Sequence, residues 1–351
     1  MPCNGGGRRD RFSARIQLNV EEITVQRGFF TKVVTLGTLF CCEIITGLGQ
    51  RPLANQSPFG EKPPASPVLF SPGVISIPVT TTYRPAFSPD GRTVYYTMEV
   101  GSDYAIIVCR FKNGHWVSPE IAPFSGKYSD AEPFMSPDGS KLFFASRRPV
   151  NGEQAKKDYD LWVVELLPGR STTPRHLGDV INTDAHELYP AVTADGTLYF
   201  SRFAPGGIWR APYSNGRYET AEKLGSPINA DMKEAGIYVA PNERYMIFEA
   251  KNPSGLGGTD FYISYRRDGE WTTPRNLGAP INSPAEETCA VVSPDGRYLF
   301  FTSNRKLPNT EVTIGKGLTY SEILDRWNAL GRGRWHIYYV SAESLQINQG
   351  D

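Results

Sequence analysis

Six residues before each of five recurring Ser-Pro-Asp-Gly-like turns stand Thr82, Asp130, Glu187, Glu234 and Glu287, so four equivalent positions carry a carboxylate. Two residues further on come Arg84, Glu132, Tyr189, Gly236 and Cys289, which share a strand face because side-chain direction repeats every second residue. After each turn follow Glu99, Arg147, Arg202, Lys251 and Asn304, with Arg148 and Arg305 adjacent. Converging carboxylates can hold a hard, calcium-like cation through several oxygens at once. A glutamate pair among Glu187, Glu234 and Glu287 can act as acid and base in glycoside chemistry, where carboxylate separation sets the outcome. Together with the basic residues, the same groups can grip a charged or hydroxylated ligand. A reading that needs no ligand is acid–base pairing between neighbouring units, which would repeat with the fold and lock it.

The elements that must position these residues are legible around each turn. The copies read Phe87-Ser-Pro-Asp-Gly-Arg-Thr-Val-Tyr-Tyr, Met135-Ser-Pro-Asp-Gly-Ser-Lys-Leu-Phe-Phe and Val292-Ser-Pro-Asp-Gly-Arg-Tyr-Leu-Phe-Phe, with degenerate versions at Val192 and Val239. They lie about 47–57 residues apart, a spacing typical of propeller blades. Pro presets the turn and Gly accepts a positive φ. A short apolar strand precedes and follows each turn. An alternating run such as Tyr159-Asp-Leu-Trp-Val-Val supplies a third strand, and segments such as Trp271-Thr-Thr-Pro-Arg-Asn-Leu a fourth. The last repeat ends after its third strand, Trp335-His-Ile-Tyr-Tyr-Val, and a strand-like segment around Val68-Leu69-Phe70 precedes the first repeat. The fold expected is therefore all-β: one propeller of five four-stranded blades over 67–348, closed by an N-terminal strand that completes the last blade. Closure in this way removes the exposed edges of an open ring.

The Ser-Pro-Asp-Gly turns, aromatic strands and Trp-x-x-Pro-x-x-Leu segments together resemble the TolB-like, WD-like β-propeller repeat of bacterial envelope proteins. The resemblance covers nearly all of the chain after residue 65. It implies the fold, and leaves function open among scaffolds, sensors and domains attached to enzymes.

Formal net charge is zero, from 37 basic and 37 acidic side chains, and no nucleic-acid motif occurs. No basic excess is present to hold a polyanion, so no nucleic-acid partner is expected. Four scattered histidines and the lack of a Cys-x-x-Cys or His-Glu-x-x-His pattern argue against zinc. Cys109 and Cys289 fall in non-adjacent repeats and read as buried thiols rather than a disulfide. Ahead of the repeats, residues 1–49 combine a polar extension with a charged stretch at Arg27–Lys32 and an apolar run at Val33–Cys42. That run has the length of a signal-peptide core and is too short to span a membrane. Translation from a start near Val25 would suit such a signal. Residues 50–66 read by composition as a Pro-rich linker.

The inner strands should all begin at one mouth of the central channel, away from the Ser-Pro-Asp-Gly face. The site expected there comprises Arg84, Asp130, Glu132, Arg147, Glu187, Tyr189, Arg202, Glu234, Lys251, Glu287, Arg305 and Trp327. Trp327 belongs to a helical pattern (Tyr320, Ile323, Leu324, Trp327, Leu330) begun by a capping box at Thr319-Tyr-Ser-Glu322. The function expected is an exported, monomeric binding or scaffold module, periplasmic or extracellular, with a protein or carbohydrate ligand. No cofactor is assigned beyond the calcium-like cation that the acidic ring leaves open. The alternative is a glycan-directed hydrolase or lyase using the same carboxylates. Neither a sialidase-type Asp box nor a Gly-x-Ser-x-Gly elbow is present to strengthen an enzymatic reading. If the leader is cleaved, N-terminal sequencing of protein from the native host should begin between residues 50 and 55. Recovery of intact 33–45 would refute export by this route.

Overall fold

Each Ser-Pro-Asp-Gly turn closes through bonds between residues at most five apart. Ser88 N donates to Thr93 O at 2.9 Å, Ser88 Oγ to Asp90 Oδ1 at 2.6 Å, and Arg92 N to the same oxygen at 2.9 Å. The turns at Ser136 and Ser293 repeat the pattern, and at Thr193 a threonine hydroxyl replaces serine. The fourth turn position is left-handed, as at Gly91 (φ 69°), and in the degenerate fourth copy Glu243 occupies it at φ 56°. Asp138 is held down to about 2 by the hydroxyl of Ser136 and the amide and hydroxyl of Ser140. These acids belong to the turns.

The computed structural model describes residues 56–229, 236–306 and 333–346, with 319, 321, 322 and 330 between them. Every turn joins the first two strands of an antiparallel, four-stranded blade. Blade 1 runs Thr82–Phe87, Thr93–Val100, Asp103–Lys112 and His115–Ile121. Blade 2 runs Asp130–Met135, Lys141–Ser146, Asp160–Leu167 and Arg175–His176. Blade 3 runs Glu187–Val192, Leu198–Arg202, Ile208–Ala211 and Glu222–Lys223. Blade 4 runs Ile237–Val239, Tyr245–Ala250, Asp260–Arg267 and Arg275–Asn276. Blade 5 runs Glu287–Val292, Tyr298–Ser303 and His336–Ser341, and its outer strand is Val68–Leu69. The protein is an all-β, five-bladed propeller. Among the described residues, no helix is long and apolar enough to cross a membrane.

Second strands are apolar on both faces because each blade is covered by a neighbour on either side. Tyr96, Phe144, Phe200, Phe248 and Phe301 hold one equivalent position, and all are fully buried. An Ile-Asn pair recurs at Ile181-Asn182, Ile228-Asn229 and Ile281-Asn282, and its cause is a hydrogen-bonded one. Asn182 accepts from Leu161 N at 2.7 Å and donates to Leu161 O at 3.1 Å, so its amide pairs with the third strand as a backbone unit would. Asn229 and Asn282 do the same for Ile208 and Phe261.

Ring closure follows the expected route. Val68 pairs with Tyr339 and Leu69 with Tyr338, and Phe70 N donates to Ile337 O at 2.9 Å. The described part of the Pro-rich stretch, from Gln56 onward, differs from a free linker. It crosses the seam between blades 5 and 1. Phe59 packs against Phe87 (4.9 Å), Phe300 (5.2 Å) and Tyr298 (5.5 Å), while Trp116 Nε1 donates to Pro58 O and Tyr298 Oη to Gly60 O. Composition could not show this, because prolines that stiffen a linker equally suit a strap held by side chains from both blades.

Deleting residues 60–75 should expose the outer edge of blade 5 and cause aggregation. Phe59→Ala should lower unfolding free energy by about 3 kcal/mol in denaturant titration, the usual cost of emptying a buried phenylalanine site. Wild-type melting of both variants would mean that closure lies elsewhere.

Candidate functional site

The first strands of four blades break register near their middle, between Tyr83 and Ala86, Ala131 and Phe134, Leu188 and Ala191, and Thr288 and Val291. At each break one non-glycine residue has positive φ: Arg84 (40°), Glu132 (56°), Tyr189 (55°) and Cys289 (59°). Such backbone costs of order 1–3 kcal/mol per residue and is kept only where the surroundings enforce it. A bulge re-aims its side chain, here towards the central channel. Gly236 holds the corresponding place in blade 4.

Three of the four bulge amides are capped by the preceding blade. Arg84 N donates to Thr302 Oγ1 at 3.2 Å, Glu132 N to Thr97 Oγ1 at 2.9 Å, and Cys289 N to Glu249 Oε2 at 2.9 Å. Thr97, Thr302 and Glu249 are equivalent second-strand positions, filled in blades 2 and 3 by Ala145 and Ser201. Glu249 is the exception in size and charge, and Gly236 makes room for it. A Cβ at 236 would sit 2.8 Å from Glu249 Oε2.

Arg84 is fully buried and reaches across the axis. Its Nη2 donates to Pro190 O at 2.7 Å and Ile237 O at 3.1 Å, and its Nε lies 3.7 Å from Glu132 Oε2. The guanidinium stacks between the rings of Phe134 (5.8 Å) and Tyr189 (5.6 Å). Those rings belong to two different cavities. Phe134 lines a cavity of about 280 Å³ on the turn face, walled by Pro89, Pro137, Pro241, Pro294 and Phe87. Tyr189 lines one of about 340 Å³ at the opposite mouth.

This second cavity gathers polar chemistry. Its floor is Glu132, Glu249, Thr288 and Cys289, and its walls include Tyr83, Tyr104, Tyr159, Trp335 and Glu286. Cys289 touches both floor carboxylates, through its amide to Glu249 and its thiol to Glu132. Burial pushes Glu132 up to about 7, against the pull of Arg84 and with a further push from Glu249. Burial also raises Glu249, and it raises the Cys289 thiol and Tyr189 hydroxyl well above their ordinary values. Both of the latter therefore stay neutral near pH 7.

The other expected site residues divide. Glu132, Tyr189 and Arg84 meet at the channel. Asp130, Glu187 and Glu287 do not join them, because each is fully buried and engaged inside its own blade. Asp130 accepts from Ser125, Ser146 and Arg148 Nη2 (2.7 Å). Glu187 accepts from the amide and hydroxyl of Thr183 and from Arg202 Nε (2.8 Å). Glu287 accepts likewise from Ser283, and from Arg305 Nη2 at 3.0 Å. The pairing of these three carboxylates is thus within blades, while Arg84 and Glu132 approach each other between blades 1 and 2, and the three do not converge on a common cation position. Among the described residues, no group of three or more His, Cys, Asp and Glu side chains is arranged to hold a metal ion. In blade 2 the partner is Arg148 instead of Arg147. Strand alternation turns Arg147 outward, where it donates to Lys157 O. Lys251 lies exposed in the loop after its strand. Glu234 and Trp327 lie outside the described residues. At the start of the expected helix, Thr319 and Glu322 exchange the capping-box bonds.

Sequence reasoning passed over Glu249, Glu286 and the aromatic wall. One signal for Glu249 was available: a glutamate where the other repeats carry Thr, Ala or Ser, in the one repeat with glycine at the bulge.

No family model matches the sequence, and no curated protein matches it. Solved structures with some similarity include TolB from Acinetobacter baumannii, at 16% identity and TM-score 0.43, over 75% of this chain and 55% of that one. The chain thus spans about half the length of that TolB. The catalytic domain of a GH62 α-L-arabinofuranosidase from Coprinopsis cinerea shows 14% identity and TM-score 0.46, over 79% of this chain and 98% of that one. A gluconolactonase from Xanthomonas campestris shows 14% identity and TM-score 0.40, over 75% and 86%. The propeller class rests on the chain's own sheet topology, and these likenesses bear no weight for its activity.

The two kinds of carboxylate should respond oppositely to substitution. Glu187→Ala strands Arg202 in the blade and should cost about 3–5 kcal/mol. Glu132 binds its proton more tightly folded than unfolded, so its contribution to stability falls as pH rises from about 4.5 to about 7. Glu132→Gln mimics the protonated form. It should be stabilising by under about 1 kcal/mol at pH 5 and by roughly 3 kcal/mol at pH 8. Urea titrations at the two pH values measure this, and destabilisation at pH 8 would show that the ionised form is structurally required.

Proposed function

We propose that the protein is a binding module whose site is the channel pocket floored by Glu132 and Glu249. The observation that carries this reading is the pair itself: two buried carboxylates on one cavity floor, one of them on strained backbone, beneath an aromatic wall. Strain and buried charge both oppose folding, and functional sites are where such costs are retained. A cavity of about 340 Å³ suits one sugar-sized residue or one side chain presented by a protein partner. Export to the periplasm or beyond is part of the same proposal, supported by the charged and apolar leader pattern in residues 27–42.

A second reading draws on the same pair. Glu132, pushed up to about 7, is partly protonated near neutrality, as a general acid must be. With Glu249 beside it, the floor has the components of acid–base glycoside cleavage.

Thermal-shift and calorimetric screening against mono- and oligosaccharides should give saturable binding. Glu249→Gln and Tyr104→Ala should abolish it while the far-UV spectrum stays unchanged. Binding that survives both substitutions would place the site elsewhere, for example in the proline-walled cavity. Incubation with a polysaccharide panel separates the readings. Product formation that disappears in Glu132→Gln and Glu249→Gln would establish the hydrolase.

A further inference from the structure

The geometry points to a protonated amine as the ligand group held at the pocket floor, between the carboxylates of Glu132 and Glu249 with its carbon skeleton against the aromatic wall. This rests on the channel pocket being the binding site and adds the charge and chemical class of what it takes.

The first support is charge balance. Arg84 is the guanidinium that adjoins this pair, and its hydrogen bonds go to the carbonyls of Pro190 and Ile237. Its Nε and Nη1, both buried, make no hydrogen bond, and Nε approaches Glu132 only to 3.7 Å. Arg84 therefore offsets the carboxylates by proximity and forms no closed, hydrogen-bonded bridge with either. Two carboxylates set against one guanidinium leave one negative charge over when both are ionised, where an uncompensated charge is expensive. A proton removes the surplus when the pocket is empty of ligand. An ammonium group removes it equally and brings up to three donors to the carboxylate oxygens.

The second support is independent of charge counting. Glu249 caps the Cys289 amide and also accepts from the Thr288 hydroxyl and the Gly236 amide, whereas at Thr97 and Thr302 a hydroxyl alone caps the bulge. A hydroxyl would cap this bulge without burying a charge. Instead a carboxylate stands there, and position 236 is bare of the side chain that would meet it at 2.8 Å. The cap itself does not require that exchange; a ligand that needs a second carboxylate does.

The third support is the wall. Tyr83, Tyr104, Tyr159 and Trp335 surround the same cavity, and aromatic faces attract cations, most strongly where water is excluded. Among the described residues of the lining, every charged side chain is a carboxylate. An anionic ligand would meet repulsion, and a neutral polyol would gain stacking without charge compensation.

Matched probes test this on the full chain: cyclohexylamine against cyclohexanol, and glucosamine against glucose, by calorimetry at pH 7.5. The amine of each pair should bind at least tenfold more tightly than its neutral counterpart. That preference should vanish in Glu249→Gln and Glu132→Gln, with melting measured on each variant to confirm folding. Equal binding of charged and neutral partners, lost in Tyr104→Ala, would overturn the amine assignment and leave the pocket as the site. Binding of no probe, or binding indifferent to all three substitutions, would overturn both. The wild-type comparison needs no variant, so a misfolded mutant does not spare the inference.

Discussion

A single buried guanidinium sets the terms for the axis of this propeller. Arg84 belongs to blade 1, yet it touches Glu132 of blade 2, the Pro190 carbonyl of blade 3 and the Ile237 carbonyl of blade 4, and its amide is capped by Thr302 of blade 5. A ring of blades leaves backbone groups of its innermost strands facing the channel, and inside a protein these need partners. The guanidinium supplies donors to two of them and divides the channel into two cavities. Its own burial then has to be compensated. Glu132 does so in part, and the chemistry of the upper pocket follows from that first placement.

The bulges make the placement possible. Regular strand geometry would pack alternate side chains against the neighbouring blades. A register break with one residue at positive φ turns that residue to the axis, and the hydroxyl or carboxylate of the preceding blade secures its amide. The same device therefore couples adjacent blades and exposes side chains to the channel. Its energetic burden is spread over the ring, since Arg84, Glu132 and Cys289 are each held by a bond from the preceding blade. Blade 4 is the informative departure. With glycine at the bulge, its contribution to the channel comes from the second strand, and that contribution is a carboxylate.

Acidic residues in this chain thus fall into groups with different physics. Those of the turns fold the turns. Asp130, Glu187 and Glu287 are satisfied inside their blades by hydroxyls, amides and an arginine, and they behave as scaffold. Glu132 and Glu249 are buried together against one partial counter-charge, and both are pushed towards the protonated form. Among the described residues, this last pair carries unresolved electrostatics into a cavity, which is the condition for binding or proton transfer.

The turn tetrad, the doubly buried second strands, the five-fold repeat and the closing strand at Val68-Leu69 could all be read from sequence. They arise from hydrogen bonds within a few residues and from strand periodicity, which survive in a linear pattern. Arg84, Glu132 and Tyr189 were also found, through their shared offset from the turn. What the sequence could not supply was the direction of each side chain after a register break. The bulge positions carry Arg, Glu, Tyr and Cys, so no residue type announces them. Nor could counting offsets tell that Arg148, and not Arg147, reaches Asp130, since one residue along a strand reverses the face. Glu249 meets Cys289 from the adjoining blade, forty residues away in the chain, and Gly236 only becomes meaningful when that approach is seen. The blades were written in local chemistry; the pocket exists only where five of them converge.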